Sequence, residues 1–237
     1  MDFNLGRIAR NMTRNLLGTD IIANNLANIS TTGFKKDAAF TDWYMEAVQQ
    51  GASKSYTNFS QGEMIHTENS LDFAITGAGF FVVQTELGLA VTRNGHFQVD
   101  AQGLLETAAG ELVLGEHGPM SIIASGDTPG QVLVTRRGEV YVDDVFIDNL
   151  AIAQVPDLQA LEKIGSNLFK VGNDILMTQL DQELIDIRQG MLEGSNVLPV
   201  VEMVTMIDLQ RNYESTQRVV KAMDQILGRA IQLGEYR

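Results

Sequence analysis

Apolar residues recur with a helical period at both ends of this 237-residue chain. Near the N-terminus, two sets of positions each repeat every seven residues and lie three residues apart, which is the a/d pattern of a coiled coil. The apolar seam positions of this first helix are Leu5, Ile8, Met12, Ile22 and Leu26. The pattern predicts a helix to about Ile29, followed by polar residues and Gly33, which are typical of a helix end.

A second, longer helix is predicted near the C-terminus. Ser195 and Asn196 are suitable N-cap residues, and Pro199 is acceptable in a first helical turn. Apolar residues then alternate at steps of three and four across four heptads. This seam includes Met206, Leu209, Tyr213, Val220, Met223 and Leu227, and a further apolar patch covers 197–207. About 35 helical residues would extend roughly 50 Å, which is too long to lie over a small β domain.

The middle of the chain has short apolar or alternating runs separated by glycine, asparagine and aspartate. The predicted strands are Phe80–Val83, Ala90–Thr92, His96–Val99, Glu111–Leu114, Gln131–Thr135, Val140–Val142 and Asn149–Gln154. The Asn94-Gly95 pair suits a tight hairpin turn, and a turn with a short helix is expected at 156–161. Many short strands with such turns indicate an all-β sandwich or irregular barrel.

These patterns predict a mixed fold, in which two long terminal helices form a coiled-coil-like pair and an all-β domain is inserted between them. We divide the chain into an N-terminal helix (1–30), a connecting segment (31–59), a β-rich domain (60–194) and a C-terminal helix (195–237). Each helix has a wider apolar face than one seam can cover. Ala9, Leu16 and Ala23 on the first helix, and the apolar patch on the second, lie outside the seam.

A long amphipathic helix is stable mainly because its apolar stripe is buried. The uncovered faces therefore call for more partners, and the simplest are copies of the same chain. The alternative is an ordinary intramolecular helical hairpin docked on the β domain.

Charge is distributed unevenly along the chain. The net charge is −13, and all of it lies in 51–195, whereas each end is neutral. Neutral ends can pack against copies of themselves while an acidic middle stays soluble. The acidic balance argues against nucleic-acid binding.

No apolar run approaches the ~20 residues needed to span a bilayer, so direct membrane insertion is not expected. The N-terminus has no apolar signal region, so any export should proceed without signal cleavage.

Candidate chemistry is sparse. There is no cysteine, which excludes disulfides and thiolate chemistry. Gly77-Ala78-Gly79 is half of a dinucleotide fingerprint and precedes a predicted strand rather than a helix. His66, His96 and His117 are scattered through predicted turns, so a metal site would need their coincidental convergence. We therefore expect no cofactor, no metal and no catalytic residue.

Three motif blocks lie along the chain. They are Ala23-Asn24-Asn25-Leu26-Ala27-Asn28-Ile29-Ser30-Thr31-Thr32-Gly33-Phe34-Lys35 at the end of the first helix, Gln61-Gly62 with Leu71–Ile75, Gly77–Phe81 and Thr92-Arg93-Asn94-Gly95 in the middle, and Gln189–Val197 with Glu202-Met203, Met206-Ile207, Gln210-Arg211 and Tyr213-Glu214 near the end. They span almost the whole chain, and in content and order they resemble the motifs of the bacterial flagellar basal-body rod protein family.

The resemblance implies a non-enzymatic subunit of the rod that transmits torque across the periplasm. It implies export by the flagellar type III apparatus without signal cleavage, and assembly with copies of itself and other rod subunits. Besides the seam positions, the expected assembly interface includes Asn24, Asn25, Asn28, Gly33, Phe34, Asn196 and Val197. Only about 26 residues separate Phe34 from Gln61, whereas distal-rod members usually carry an insertion there. We therefore expect a proximal-rod subunit and keep the distal rod as the alternative.

Two other function classes remain open at this point. A secreted binding module would use the helices only to oligomerise and would expose an aromatic patch on the β domain. A hydrolase would need a catalytic carboxylate pair, and the sequence singles out no aspartate for that role.

Overall fold

The computed structural model describes residues 2–39, 55–122, 130–170, 178–179 and 184–235. The chain forms two compact units. The helical unit comprises 1–27, 37–58 and 197–237, and the β-rich unit comprises 28–36 and 59–196. A helix at each end and a β-rich middle confirm the mixed fold. The division into four segments by sequence stays a prediction.

The helical unit contains two α-helices and a short pair of strands. Helix α1 spans Asp2–Ala27 and helix α2 spans Pro199–Glu235. The two helices pack against each other in an antiparallel sense, since Gly18 of α1 lies against Leu209 of α2 and Asn25 bonds Glu202. Neither helix, over its described residues, carries an apolar stretch long enough to cross a membrane.

All paired strands in the described residues are antiparallel. They are β1 (Asp37–Ala39), β2 (Ser55–Thr57), β3 (Met64–His66), β4 (Phe73–Ile75), β5 (Phe80–Thr85), β6 (Gly88–Thr92), β7 (Phe97–Val99), β8 (Leu105–Thr107), β9 (Leu112–Val113), β10 (Val132–Val134), β11 (Glu139–Val142), β12 (Val145–Asn149), β13 (Ile152–Gln154), β14 (Glu162–Gly165), β15 (Leu168–Lys170), β16 (Thr178–Gln179), β17 (Ile187–Gln189) and β18 (Met191–Glu193).

The largest sheet of the β-rich unit has the order β14-β15-β6-β5-β9-β8-β7, and β13 joins it by pairing with β5 and β16. A three-stranded sheet follows the order β10-β11-β12, and two small ladders pair β17 with β4 and β18 with β3. Strands β1 and β2 pair within the helical unit.

Strand β5 is buried on both faces because its side chains alternate between two apolar clusters. Phe81 and Val83 belong to the larger cluster, which also contains residues from most other strands of the β-rich unit. Phe80 and Val82 belong to a smaller cluster with Phe169. A continuous apolar run in the sequence therefore marks a strand with apolar packing on both sides.

Local predictions differ from the structure in four places. Helix α1 ends at Ala27, two residues before Ile29. The run predicted as one strand over 149–154 is divided between β12 and β13. Asn94-Gly95 does not form a hairpin turn, because the strands on either side of it, β6 and β7, are not paired. Helix α2 begins at Pro199, and its first backbone bond runs from the Glu202 amide to the Leu198 carbonyl, so the expected N-cap residues Ser195 and Asn196 lie before the cap position.

The segment 94–96 has another role in the β-rich unit. The carbonyl of Gly95 accepts the amide of Phe73, and Asp72 bridges to His96. A side chain at Gly95 would place its Cβ only 1.7 Å from the Phe73 carbonyl oxygen. The glycine is therefore needed for a close approach to β4 rather than for a turn.

Candidate assembly surface and a buried junction

The seam predicted from the heptads lies between the two helices. Ile22 and Asn15 of α1 are buried, and Ile8, Met12 and Leu26 are half-buried. On α2 the positions Met206, Leu209, Tyr213, Val220 and Met223 are all half-buried. The side chains of Leu5 and Leu227 lie outside the described part of the chain. One helix partner thus covers the seam in part.

Asn25 is the polar centre of the helical unit and is only 1% exposed. Its amide donates to the carbonyl of Asp37 at 2.7 Å and to the Glu202 carboxylate at 3.3 Å. Its side-chain oxygen accepts the Asp37 amide at 2.9 Å. The hydroxyl of Thr57 in turn donates to the Asp37 carboxylate. One asparagine therefore joins α1, α2 and strand β1.

The outer faces of the helices remain exposed. On α2, Val200 is 72% exposed, and Val201, Val204 and Ile207 are about half exposed. On α1, Leu16 is 50% exposed, and Ala9 and Ala23 are also exposed. These are the positions that the sequence analysis places outside a two-helix seam. We call this set the outer apolar face of the helical unit.

The remaining residues of the expected assembly interface fall into two groups. Asn24, Asn28 and Asn196 are exposed or half-buried. Gly33, Phe34 and Val197 are buried within the chain, as Asn25 is. The contacts described for the buried residues are intramolecular, and their part in assembly stays a prediction.

A buried ion cluster lies in the β-rich unit, and we call it the junction cluster: Lys35, Arg93 and Glu193. The Lys35 ammonium lies 2.5 Å from the Glu193 carboxylate, and both side chains are completely buried. The Arg93 guanidinium donates to the other Glu193 oxygen at 3.3 Å. The cluster therefore holds two cations and one carboxylate in an almost completely buried site.

Backbone groups supply further bonds to the junction cluster, and the Nε atom of Arg93 is the member left without a hydrogen-bond partner among the described residues. The Lys35 ammonium donates to the Ser60 carbonyl, and the Glu193 carboxylate also accepts the Gly62 amide at 2.9 Å. Arg93 donates to the carbonyls of Ile75 and Gly77, and its guanidinium lies over a phenylalanine ring. These bonds offset the cost of burying the charges, which is several kcal/mol per ion when unpaired.

Burial lowers the pKa of Lys35, and the nearby Glu193 carboxylate partly offsets that effect. Burial likewise lowers the pKa of Arg93, again against the opposing attraction of Glu193. Both effects have the same physical origin, since a low-dielectric site disfavours the charged form of a base. Glu193 is the group on which both cations depend.

Glycines allow the chain segments to approach closely at the junction cluster. Gly33 has a left-handed backbone, with a φ of +68°, and its amide donates to the Glu193 carbonyl at 2.7 Å. A Cβ at Gly33 would lie 2.4 Å from the Asn94 nitrogen, and one at Gly62 would lie 2.0 Å from the Gly194 oxygen. Neither position has room for a side chain.

Asn196 joins the same segments from the other side. Its side-chain oxygen accepts the Lys36 amide at 2.8 Å, and its amide donates to the Ser60 carbonyl at 3.0 Å. Its residue type and its position before α2 predict a helix cap. The structure shows instead that it holds two other parts of the chain together within the β-rich unit.

Among the described residues, one group combines histidine and carboxylates closely: Glu116, His117 and Asp148. The Asp148 carboxylate accepts both the ring nitrogen and the backbone amide of His117, and it also accepts the Asn149 amide. The carboxylate thus ties His117 to the end of β12.

Comparison with known proteins agrees with the motif blocks. The family models described as flagella basal body rod protein, flagellar hook protein FlgE/F/G D1 domain and flagellar basal body rod FlgEFG protein C-terminal match residues 11–35, 74–142 and 188–233. The flagellar basal-body rod protein FlgF of Caulobacter vibrioides is 36% identical, with 86% of this chain and 85% of the relative covered. This chain belongs to the flagellar basal-body rod protein family.

Two FlgG proteins of the same family are also similar. The FlgG of Buchnera aphidicola subsp. Schizaphis graminum is 33% identical over 92% of this chain and 94% of its own length. The FlgG of Borreliella burgdorferi is 31% identical over 93% of this chain and 94% of its own length. The chain is therefore a structural subunit of the flagellar rod, not an enzyme, and it assembles with other rod components.

The structure gives the rod-family motif blocks a common physical role. Lys35 ends the first block, Arg93 lies in the second and Glu193 lies in the third. The junction cluster joins all three. The sequence does not reveal the cluster, because charged residues normally lie at the surface. Lys35 and Glu193 are 158 positions apart, so no local spacing relates them.

Proposed function

We propose that this chain is a proximal-rod subunit of the FlgF type, which polymerises through its terminal helices to form part of the drive shaft. The outer apolar face of the helical unit carries this proposal. Its valine, leucine and isoleucine side chains are half exposed or more, and covering each one contributes on the order of 1 kcal/mol. A polymer of identical subunits would repeat that gain at every contact.

The length of the matches supports the proximal-rod assignment. The match to the Buchnera FlgG extends over 246 aligned positions, which exceeds the 237 residues of this chain. That relative therefore has residues which this chain lacks. The match to the Caulobacter FlgF covers 86% of this chain, about 204 residues, in 221 positions, which leaves about 17 positions without a residue of this chain, against about 28 in the FlgG match. This agrees with the short segment between Phe34 and Gln61, where distal-rod members are expected to have an insertion.

We further propose that the subunit is exported by the flagellar type III apparatus and keeps its N-terminus. Helix α1 supports this, because it is a structural part of the helical unit. Gly18 of α1 lies against Leu209 of α2, and a Cβ at Gly18 would lie 2.9 Å from a Leu209 methyl carbon. Cleavage after an N-terminal signal would remove that packing.

Electron cryotomography of cells that lack the gene tests the role and the position together. The expected result is a rod that is missing or stops near the inner membrane, with the export apparatus still in place. A stub that reaches most of the way to the outer membrane would assign the subunit to the distal rod. Complete rods with hooks and filaments would refute the proposal.

A charge in the outer apolar face tests polymerisation directly. Val204→Asp should leave the monomer folded, because Val204 is 54% exposed, but it should abolish assembly, since a buried unpaired carboxylate is strongly disfavoured. Ser215→Asp, at an exposed polar position of α2, is the matched control. Normal swimming of the Val204→Asp strain would show that this face is not an assembly contact.

One observation favours a second candidate function, a binding surface on the β-rich unit. Leu133, Tyr141 and Phe146 are cross-strand neighbours in the three-stranded sheet, and Leu133 and Phe146 are about half exposed. The rings of Tyr141 and Phe146 pack edge to face at 5.7 Å. Pulldown or glycan-array binding by the wild-type protein that is lost in Phe146→Ser would support this function, and equal binding by both proteins would refute it.

A further inference from the structure

The chain passes between the two units at four peptide bonds: 27–28, 36–37, 58–59 and 196–197. Any force that passes along the backbone from one unit to the other uses these connections. The β-rich unit therefore receives such force through its segments 28–36, 59–62 and 193–196.

All three segments are tied to one another inside the β-rich unit. Glu193 bonds Lys35 through its carboxylate and the Gly33 amide through its carbonyl. The same carboxylate accepts the Gly62 amide. Asn196 bonds Lys36 and Ser60. Each segment is thus bonded directly to both of the others.

The ties also reach the main body of the β-rich unit. Arg93 links Glu193 to the carbonyls of Ile75 and Gly77, next to β4. The Thr32 hydroxyl donates to Asn94, and the Asn167 amide donates to the Thr32 carbonyl. A pull on segment 28–36 is therefore shared among several strands.

Burial makes the ionic bonds of the junction cluster resistant to water. Lys35 and Glu193 are completely buried, and Arg93 is 6% exposed. In such a site, separating a cation from its carboxylate leaves an unsolvated charge, so the bonds do not exchange readily with water. Surface ion pairs offer no comparable resistance.

We propose that the junction cluster is a mechanical clamp, which transmits torque between the β-rich unit and the chain segments that lead to the helices. This inference rests on the proposed rod function and adds a separate determinant to it. The outer apolar face determines whether subunits assemble, whereas the junction cluster determines how stiff the assembled rod is under load.

Lys35→Met tests the clamp with little risk to folding, because Glu193 keeps Arg93 as its partner. Lys170→Met, at an exposed position of β15, is the matched control. Hydrogen exchange on the full-length protein should show the Gly62 amide exchanging about tenfold faster in Lys35→Met. The Val91 amide in the sheet core should be unchanged. Unchanged exchange at Gly62 would overturn the proposal at this first step.

The second measurement is made in cells. Strains with Lys35→Met, Lys170→Met and a deletion of the gene are compared for rods by cryotomography and for swimming speed in media of rising viscosity. Lys35→Met should form rods in normal number and swim normally at low viscosity, but it should lose speed at high viscosity relative to Lys170→Met.

Two outcomes would overturn the clamp. Equal speed of both variants at all viscosities would show that the junction cluster does not carry force, and loss of rods in Lys35→Met would show that it controls assembly instead. Intact rods in the deletion strain would instead refute the rod function itself. The Lys35→Met strain therefore tests the clamp, and the deletion strain tests the rod function separately.

Discussion

Glu193→Gln tests how far the fold of the β-rich unit depends on the junction cluster. The substitution keeps the shape of the side chain but removes its charge. Two buried cations, Lys35 and Arg93, then lose their only carboxylate partner in the cluster. Breaking a buried ion pair by removing one partner costs about 3–5 kcal/mol, and here one change affects two pairs. We expect a loss of stability at the upper end of that range.

Removing a cation from the cluster should lower the stability less than removing the carboxylate. Lys35→Met leaves one carboxylate and one guanidinium, which is a neutral pair, and a flexible apolar side chain in place of the ammonium. We expect a loss of about 1–3 kcal/mol, mainly for the hydrogen bond to Ser60 and the altered packing. The order of the two variants thus follows from counting buried charges.

Urea unfolding of the full-length protein, followed by circular dichroism at β-sheet wavelengths, measures both values. Glu86→Gln, at an exposed position between β5 and β6, is the control and should change stability by less than about 0.5 kcal/mol. Added salt should hardly alter the difference between variants, because the cluster is almost completely buried. A loss below about 1 kcal/mol for Glu193→Gln, or a larger loss for Lys35→Met, would refute the reasoning.

Two further predictions concern single positions in the β-rich unit. Gly33→Ala should lower the stability more than Gly77→Ala. Both glycines have positive φ, but only at Gly33 would the new Cβ meet another backbone segment, at Asn94. Equal midpoints of urea unfolding for the two variants would contradict this. The Asp148 carboxylate raises the pKa of His117, whereas hydrogen bonds from His117 and Asn149 outweigh burial and lower that of Asp148. Their pairing should therefore stabilise the turn below about pH 6.5 and above about pH 3.9, and fade as pH rises through the folded pKa of His117 or falls through that of Asp148. An NMR titration of His117 with a midpoint no higher than in Asp148→Asn would contradict this.

The two helices and the strands β5, β6, β7, β9, β10, β11 and β13 could be predicted from the sequence because their signals are local, whereas β1–β4, β8 and β14–β18 are not among the predicted strands. The half-buried positions of α2 from Met206 to Met223 follow the heptad spacing, and the buried run of β5 reads directly as a strand. The junction cluster could not be predicted in this way. Its three members come from three distant segments, and nothing in the neighbourhood of Lys35 distinguishes it from a surface lysine.

Asn94-Gly95 and Asn196 illustrate the same limit in residues with strong local preferences. Asn-Gly favours a hairpin turn. Here Gly95 instead lies so close to the Phe73 backbone that only a residue without a side chain fits. Asparagine favours a helix N-cap, but Asn196 finds its partners in Lys36 and Ser60. The absent side chain of Gly95 and the hydrogen-bonding amide of Asn196 therefore serve tertiary contacts rather than a turn or a helix cap.

The two units differ in how completely each one buries its apolar stripes and clusters, and this difference predicts an order of folding. In the β-rich unit, the buried ions and both apolar clusters have partners within the same unit. In the helical unit, the outer apolar face is exposed, and a long helix without full burial of its stripe is only marginally stable. We therefore expect the dilute monomer to fold its β-rich unit while the helices become fully ordered only on assembly. Hydrogen exchange should show strong protection of the Val91 amide and weak protection across residues 5–28. Comparable protection of both regions in the monomer would mean that the helix pair is stable by itself, and the exposed face would then be a consequence of the fold rather than the driving force of assembly.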